Sequence, residues 1–257
     1  MKLTLTLCAC CVLALCSGGC ATEPGSPAPS ELAPGVWGVL VSPEDDDLHA
    51  GVVLLHGAVG WHPELVDLAS VLADSGFVAL AIDYYAEADR TAVGSAEKLE
   101  AWPVYQTAVR NAVSYLESLP SVAGQPFGLV GFSRGAFLAV SVASSTPGVK
   151  AVVDFYGGGG GGPAPLEEDV RDLPPVLILH GDADTIVPLR FAYALRDAVA
   201  AAGGEAELHV YAGAKHAFNL PHSPDYSADA ARDAHRRTVE FLRRRLASDA
   251  ATPVRAN

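Results

Sequence analysis

The sequence predicts an α/β fold, a mostly parallel central sheet with helices packed on both of its faces. Three observations lead there. Continuously apolar runs such as Gly51–Leu55 and Val176–Leu179 lack the polar alternation of a half-solvated strand, so both of their faces must be covered. These runs alternate with segments whose apolar residues recur at helical spacing. Turns carrying Gly, Ser, Asp and His follow several of the runs, at the carboxyl ends where open α/β sheets hold their sites.

In chain order, Val36–Val41 is the first strand, and Glu44-Asp45-Asp46-Asp47 is a turn. Gly51–Leu55 follows as a strand buried on both faces. The segment Pro63–Ser75 sets Leu65, Leu68, Ala69 and Leu72 on one helical face, with Pro63 suited to the opening and Gly76 to the stop. Phe77–Ile82 is the next buried strand and Asp83–Ser95 a polar loop. Glu97–Leu119 reads as a helix, interrupted or restarted at Pro103 and stopped by Pro120. Phe127–Val130 is a strand, Arg134–Ser145 a helix and Val149–Tyr156 a strand. Six consecutive glycines, Gly157–Gly162, then read as a spacer ahead of a Pro-rich, acidic stretch. Val176–Leu179, Pro188–Ala202, Glu205–Tyr211 and Ala228–Leu246 complete the alternation as strand, helix, strand and helix. One domain over residues 35–247 accounts for all of this, with no insertion large enough for a cap domain and a loose tail at 248–257.

The first residues read as a separate targeting segment. Met1-Lys2 is a minimal positive start, Leu3 to Leu15 is apolar and too short to span a membrane, and Ser17-Gly18-Gly19-Cys20 follows. These small residues before Cys20 resemble the lipobox of bacterial lipoproteins, which implies a signal peptide over 1–20 and acylation at Cys20. Ser17 stands where an aliphatic residue is usual, so ordinary signal cleavage stays open as the alternative. Residues 21–34, rich in Pro, Ser, Ala and Gly, read as a flexible linker. The expected location is outside the cytoplasm, in the cell envelope as an anchored lipoprotein, or otherwise periplasmic or secreted. All five cysteines lie in the first twenty residues, so the domain has neither a disulfide nor a cysteine nucleophile nor a thiolate metal site. A net charge of −13 argues against nucleic acid or an anionic membrane surface as a partner, leaving membrane contact to the lipid anchor. No metal is expected, and the chain is expected to act as a monomer.

The chemistry centres on Leu129-Val130-Gly131-Phe132-Ser133-Arg134-Gly135-Ala136. A strand running into Gly-x-Ser-x-Gly and straight on into a helix fits a nucleophile elbow, where the flanking glycines let strand and helix approach and the serine is lifted to the sheet edge. After Val176–Leu179 comes His180-Gly181-Asp182-Ala183-Asp184, where Asp184 is the candidate to orient a histidine and Asp182 to close the turn. After Glu205–Tyr211 comes His216, the candidate general base ahead of His180, His222 and His56. The order Ser133, Asp184, His216 matches the nucleophile, acid and base order of α/β-hydrolases. The glycine-flanked turn His56-Gly57-Ala58-Val59-Gly60 can offer the Ala58 N–H, which with the Arg134 N–H would form an oxyanion hole.

Together Val52-Val53-Leu54-Leu55-His56-Gly57-Ala58-Val59-Gly60, Ala81-Ile82-Asp83-Tyr84-Tyr85, Gly131-Phe132-Ser133-Arg134-Gly135, Gly181-Asp182-Ala183-Asp184 and Gly213-Ala214-Lys215-His216-Ala217-Phe218 resemble the dienelactone hydrolase family of α/β-hydrolases. The resemblance spans roughly Val36 to Leu246. It implies the α/β-hydrolase fold and hydrolysis of a small-molecule ester or lactone without a cofactor. Three departures bear on substrate. The family's usual nucleophile is cysteine and here it is Ser133; Gly57 stands where a glutamate usually contacts that cysteine; and the arginines that hold the dienelactone carboxylate are missing, with Arg134 and Arg90 the alternatives at hand. Pocket walls are expected from Val59–His62, Asp83–Ser95, Gly157–Asp172 and Phe218–Tyr226, with Trp61, Tyr84, Tyr85, Phe132 and Phe218 as candidate substrate contacts. Two rival readings are a secreted serine peptidase or acyl-peptide hydrolase with the same triad, and a non-catalytic lipid-anchored binding protein on the same fold.

Overall fold

A computed structural model describes residues 27–86, 101–160 and 166–247. The signal and acylation readings over 1–20, Arg90, most of the loop after Tyr85, and the tail from 248 lie outside the described residues.

Eight strands form one sheet: β1 (Ser30–Ala33), β2 (Val36–Val41), β3 (Gly51–Leu55), β4 (Val78–Ile82), β5 (Phe127–Phe132), β6 (Val149–Phe155), β7 (Val176–Gly181) and β8 (Ala206–Tyr211). Their spatial order is β1-β2-β4-β3-β5-β6-β7-β8. The pairings β1/β2 and β2/β4 are antiparallel, and every pair from β4/β3 to β7/β8 is parallel. The sheet is therefore mostly parallel. Period-two alternation splits its side chains between two layers: Val53 and Leu55 of β3 point into one core, Val52 and Leu54 into the other.

The first layer is covered by α2 (Trp102–Glu117), α3 (Arg134–Ala143) and α5 (Arg190–Ala201), the second by α1 (Glu64–Asp74) and α6 (Ala228–Leu246). A short turn of helix, α4 (Leu166–Asp169), stands between β6 and β7. Burial of a full side chain contributes about 1.5–3 kcal/mol, and both layers hold many fully enclosed groups, among them Leu129 and Leu195 in one and Phe155 and Leu242 in the other. The two layers hold the strand ends rigidly where the chemistry is placed.

Two sequence expectations change. The linker read over 21–34 includes β1, whose Ser30 faces Gly38 across an antiparallel pair. Its four residues, Ser-Glu-Leu-Ala, carry no strand signature of their own; pairing with β2 makes them a strand. The spacer reading of the glycine run gives way over Gly157–Gly159, which are buried. Gly157 donates its N–H to Asp154 Oδ1 at 2.7 Å, and a Cβ on it would lie 2.4 Å from that of Ala136. The chain here is packed against the helix that follows Ser133.

Candidate active site

Ser133 sits between β5 and α3 with φ 51° and ψ −115°, a left-handed conformation costly for a side-chain-bearing residue. The surroundings impose it. The Ser133 N–H donates to Phe155 O at 2.9 Å, tying the turn to the neighbouring strand. A Cβ on Gly131 would stand 2.3 Å from Gly135 O, and one on Gly135 would stand 2.3 Å from Leu55 O. Only hydrogen fits at either position, which is why the strand, turn and helix can meet so closely.

Three strand ends bring the sequence-predicted triad together. The Ser133 hydroxyl lies 3.0 Å from His216 Nε2, and His216 Nδ1 lies 2.7 Å from Asp184 Oδ2. The other Asp184 oxygen accepts the N–H groups of Ile186 and Val187 at 2.8 and 2.9 Å. This carboxylate is buried, and its lone pairs are thereby occupied on one side and aimed at the imidazole on the other. With Nδ1–H donating to Asp184, Nε2 is left as the acceptor for the serine proton.

The rival histidines have other partners. His180 is enclosed, donates Nε2–H to Val187 O at 2.8 Å and lies 3.5 Å from Asp184, and burial pulls its pKa below the usual histidine value. It buttresses the acid loop. His56 is buried, stacked on Tyr84 with ring centroids 3.9 Å apart. Asp182 accepts the Gly213 N–H at 2.7 Å, which joins the acid loop to the loop carrying His216.

The His56–Gly60 turn runs beside the elbow: a Cβ on Gly57 would lie 3.6 Å from Ser133 Cβ. Ala58 thus flanks the serine, while Arg134 is the first residue of α3, where helix geometry leaves backbone N–H groups pointing outward. Burial raises the Tyr85 pKa, and the nearby Arg134 charge opposes that rise.

A cavity of about 570 Å³ opens over Ser133 and His216. Its apolar lining includes Leu65, Leu68, Val71, Phe132, Tyr156 and Leu220. Of the sequence-predicted contacts, Phe132 faces this cavity; Tyr84, Tyr85, Trp61 and Phe218 do not line it. Tyr84 is enclosed and donates to His56 O at 2.8 Å, and Tyr85 donates to Ala58 O at 3.3 Å, so both brace the His56–Gly60 turn. Phe218 is fully buried against Tyr156 and Tyr211, and Trp61 packs on the second core layer. Of the expected walls, the segments Val59–His62 and Phe218–Tyr226 line the cavity, whereas among the described residues neither Asp83–Ala86 nor Gly157–Gly160 does; α1 and the start of α6 supply walls that were not expected.

Sequence reasoning also missed Tyr156. It directly follows β6 with φ 43°, meets the His216 ring edge to face with centroids 4.8 Å apart, and donates its hydroxyl to Asn219 Oδ1 at 2.8 Å. Burial raises its pKa well above the ordinary tyrosine value, so it stays a neutral donor. Its position directly after the buried run of β6 was the available signal.

Residues 36–246 match the family model of the dienelactone hydrolase family. A Yersinia pestis protein named as a carboxymethylenebutenolidase is 28% identical over 213 residues, covering 76% of this chain and 80% of its own. A Bradyrhizobium protein named as a 2-oxo-3-(5-oxofuran-2-ylidene)propanoate lactonase is 28% identical, covering 75% of this chain and 82% of its own. Among solved structures, a dienelactone hydrolase-like promiscuous phosphotriesterase from metagenomic libraries superposes with a TM-score of 0.70 at 23% identity, covering 82% of this chain and 92% of that one. With the α/β-hydrolase fold and its strand-end site in place, the chain belongs to the dienelactone hydrolase family and is a hydrolase of ester or lactone bonds.

Proposed function

We propose that the protein is an exported serine hydrolase that cleaves small, uncharged, largely apolar carboxylic esters or lactones through an acyl-enzyme. The observation that carries this reading is the unbroken hydrogen-bonded line from Ser133 through His216 to Asp184 at the floor of an apolar cavity. His216 takes the hydroxyl proton as Ser133 attacks the carbonyl carbon, and Asp184 holds the imidazole tautomer and stabilises the imidazolium. The N–H groups of Ala58 and Arg134 receive the developing oxyanion, each such donor contributing about 3–4 kcal/mol to the transition state. His216 then protonates the leaving alcohol, or the lactone's own ring oxygen. Water, deprotonated by His216, attacks the acyl-enzyme and regenerates Ser133.

The apolar lining favours an uncharged acyl group. The sequence lacks the family's carboxylate-holding arginines at the expected positions, and Arg134 is not among the residues that line the cavity. A dienelactone, with its free carboxylate, is thereby disfavoured as the substrate. Fluorophosphonate labelling of the purified protein tests the nucleophile: wild type labels and Ser133→Ala does not, while His216→Ala loses ester turnover by at least a thousandfold. Equal labelling of wild type and Ser133→Ala would overturn the assignment. A parallel panel of p-nitrophenyl esters and peptide substrates separates this reading from a peptidase.

A further inference from the structure

On the wall of the same cavity, three side chains converge that the proposed acyl transfer does not use. His62 follows the His56–Gly60 turn, Glu64 is the first residue of α1, and His222 comes from the loop after His216, 158 positions from Glu64. Glu64 is only 7% exposed, an unusual place for a carboxylate without a full set of partners. Its Oε1 accepts the His222 backbone N–H at 3.0 Å and faces His222 Nδ1 at 2.7 Å. Its Oε2 lies 3.0 Å from His62 Nδ1, yet the two atoms form no hydrogen bond and both are shielded from solvent.

At 3.0 Å the two atoms are at ion-pair distance, yet neither has a hydrogen-bonded partner, and a buried set left so is one that a water or an ion can complete. One donor atom from each of His62, Glu64 and His222 lies within 4.8 Å of the others. A tetrahedral ion with bonds of about 2.0–2.1 Å holds its donors roughly 3.3 Å apart, so small side-chain rotations close this set around a cation. Two imidazoles and one carboxylate suit zinc-like ions and not calcium or magnesium, which take oxygen donors.

We propose that His62, Glu64 and His222 form a binding site for one divalent transition-metal ion of the zinc class on the wall of the Ser133 cavity. Three protein donors leave a fourth position for water or an oxygen of a bound molecule. The ion would also pin the loop after His216 to α1. That loop carries Asn219, the partner of the Tyr156 hydroxyl beside His216, so loading would stiffen the support of the base. The site stands whether or not the proposed ester chemistry is right.

Tag-free full-length protein is stripped with chelator, dialysed against micromolar Zn²⁺ and assayed by elemental analysis, alongside Glu64→Gln, His222→Ala and a His62→Ala/His222→Ala double variant. The N-terminal cysteines are common to all four proteins, so differences between them report this site alone. Wild type should retain about one more Zn²⁺ per chain than the double variant, with affinity at least tenfold weaker in each single variant. Zn²⁺ should raise the thermal midpoint of wild type and leave that of His222→Ala unchanged, because a ligand held by the native state alone stabilises it. His222 is exposed, so its replacement leaves the fold intact if Glu64→Gln does not. Equal Zn²⁺ retention by wild type and the double variant, or a midpoint that Zn²⁺ moves equally in wild type and His222→Ala, would overturn the site and leave Glu64 as the centre of an ordinary ion-pair cluster.

Discussion

Single side chains at the strand ends set the chemistry, and the carboxylate of Asp184 shows how. Two backbone N–H groups hold one oxygen, and the other holds His216 Nδ1 at 2.7 Å. Replacing Asp184 by Asn preserves the shape but allows the amide to donate, which turns the imidazole to the tautomer that cannot accept the serine proton. The expected result is a fall in kcat of about ten-thousandfold with KM little changed, read from steady-state ester hydrolysis. Asp154 makes a second prediction. It is fully enclosed on β6, and burial raises its pKa to about 7 from a usual value of 3.8, opposed by backbone N–H groups of the glycine run. Between those two values the folded chain holds a proton that the unfolded chain has released, so stability falls as pH rises from about 4 to about 7, by roughly 3–5 kcal/mol in all. Asp154→Asn keeps an oxygen for the Gly157 N–H and cannot ionise. Its thermal midpoint should gain on wild type as pH rises, by a margin clearly larger near pH 8 than near pH 4; an equal difference at both pH values would refute the account.

At the scale of elements, the elbow depends on β5, its turn and α3 approaching β3 more closely than any side chain allows. Gly135→Ala would push a methyl group to 2.3 Å from Leu55 O and 2.5 Å from His56 O, both backbone atoms held in the sheet or in the turn beside it. Overpacking against backbone has no flexible side chain to absorb it, so a loss of about 3 kcal/mol or more is expected, measured as a lowered urea midpoint or as loss of soluble protein. Elements with strong periodic or continuous patterns were legible in advance: α6 runs over Ala228–Leu246, as its apolar spacing indicates. The short ones were not. Both β1 and α4 span four residues and acquire their form from neighbours, β1 from the edge of β2 and α4 from packing of Leu166 against the glycine run. The α1 wall of the cavity escaped for a similar reason, since Leu65 and Leu68 read as ordinary core positions of α1 until the fold set the loop after His216, itself an expected wall, across from them.

For the whole molecule, the apolar runs and their order were enough to predict a covered, mostly parallel sheet. The hydrogen-bonding residues after β5, β7 and β8 were enough to propose Ser133, Asp184 and His216 as one site, because a parallel sheet brings all its carboxyl ends to one edge. Export with acylation at Cys20 is a proposal at this scale, carried by the segment Ser17-Gly18-Gly19-Cys20. In a bacterial host fed an alkyne-bearing palmitate, the full chain should take up the label and Cys20→Ala should not; equal labelling of the two would dismiss the anchor. Sequence alone thus determined fold class, family and the order of the reacting groups, since these follow from local pattern and from chain order. Only the tertiary structure decided which aromatics face the cavity, that Tyr84 and Phe218 are core, and that His62 and Glu64 meet His222 across 158 residues, because each depends on distant segments sharing one small volume.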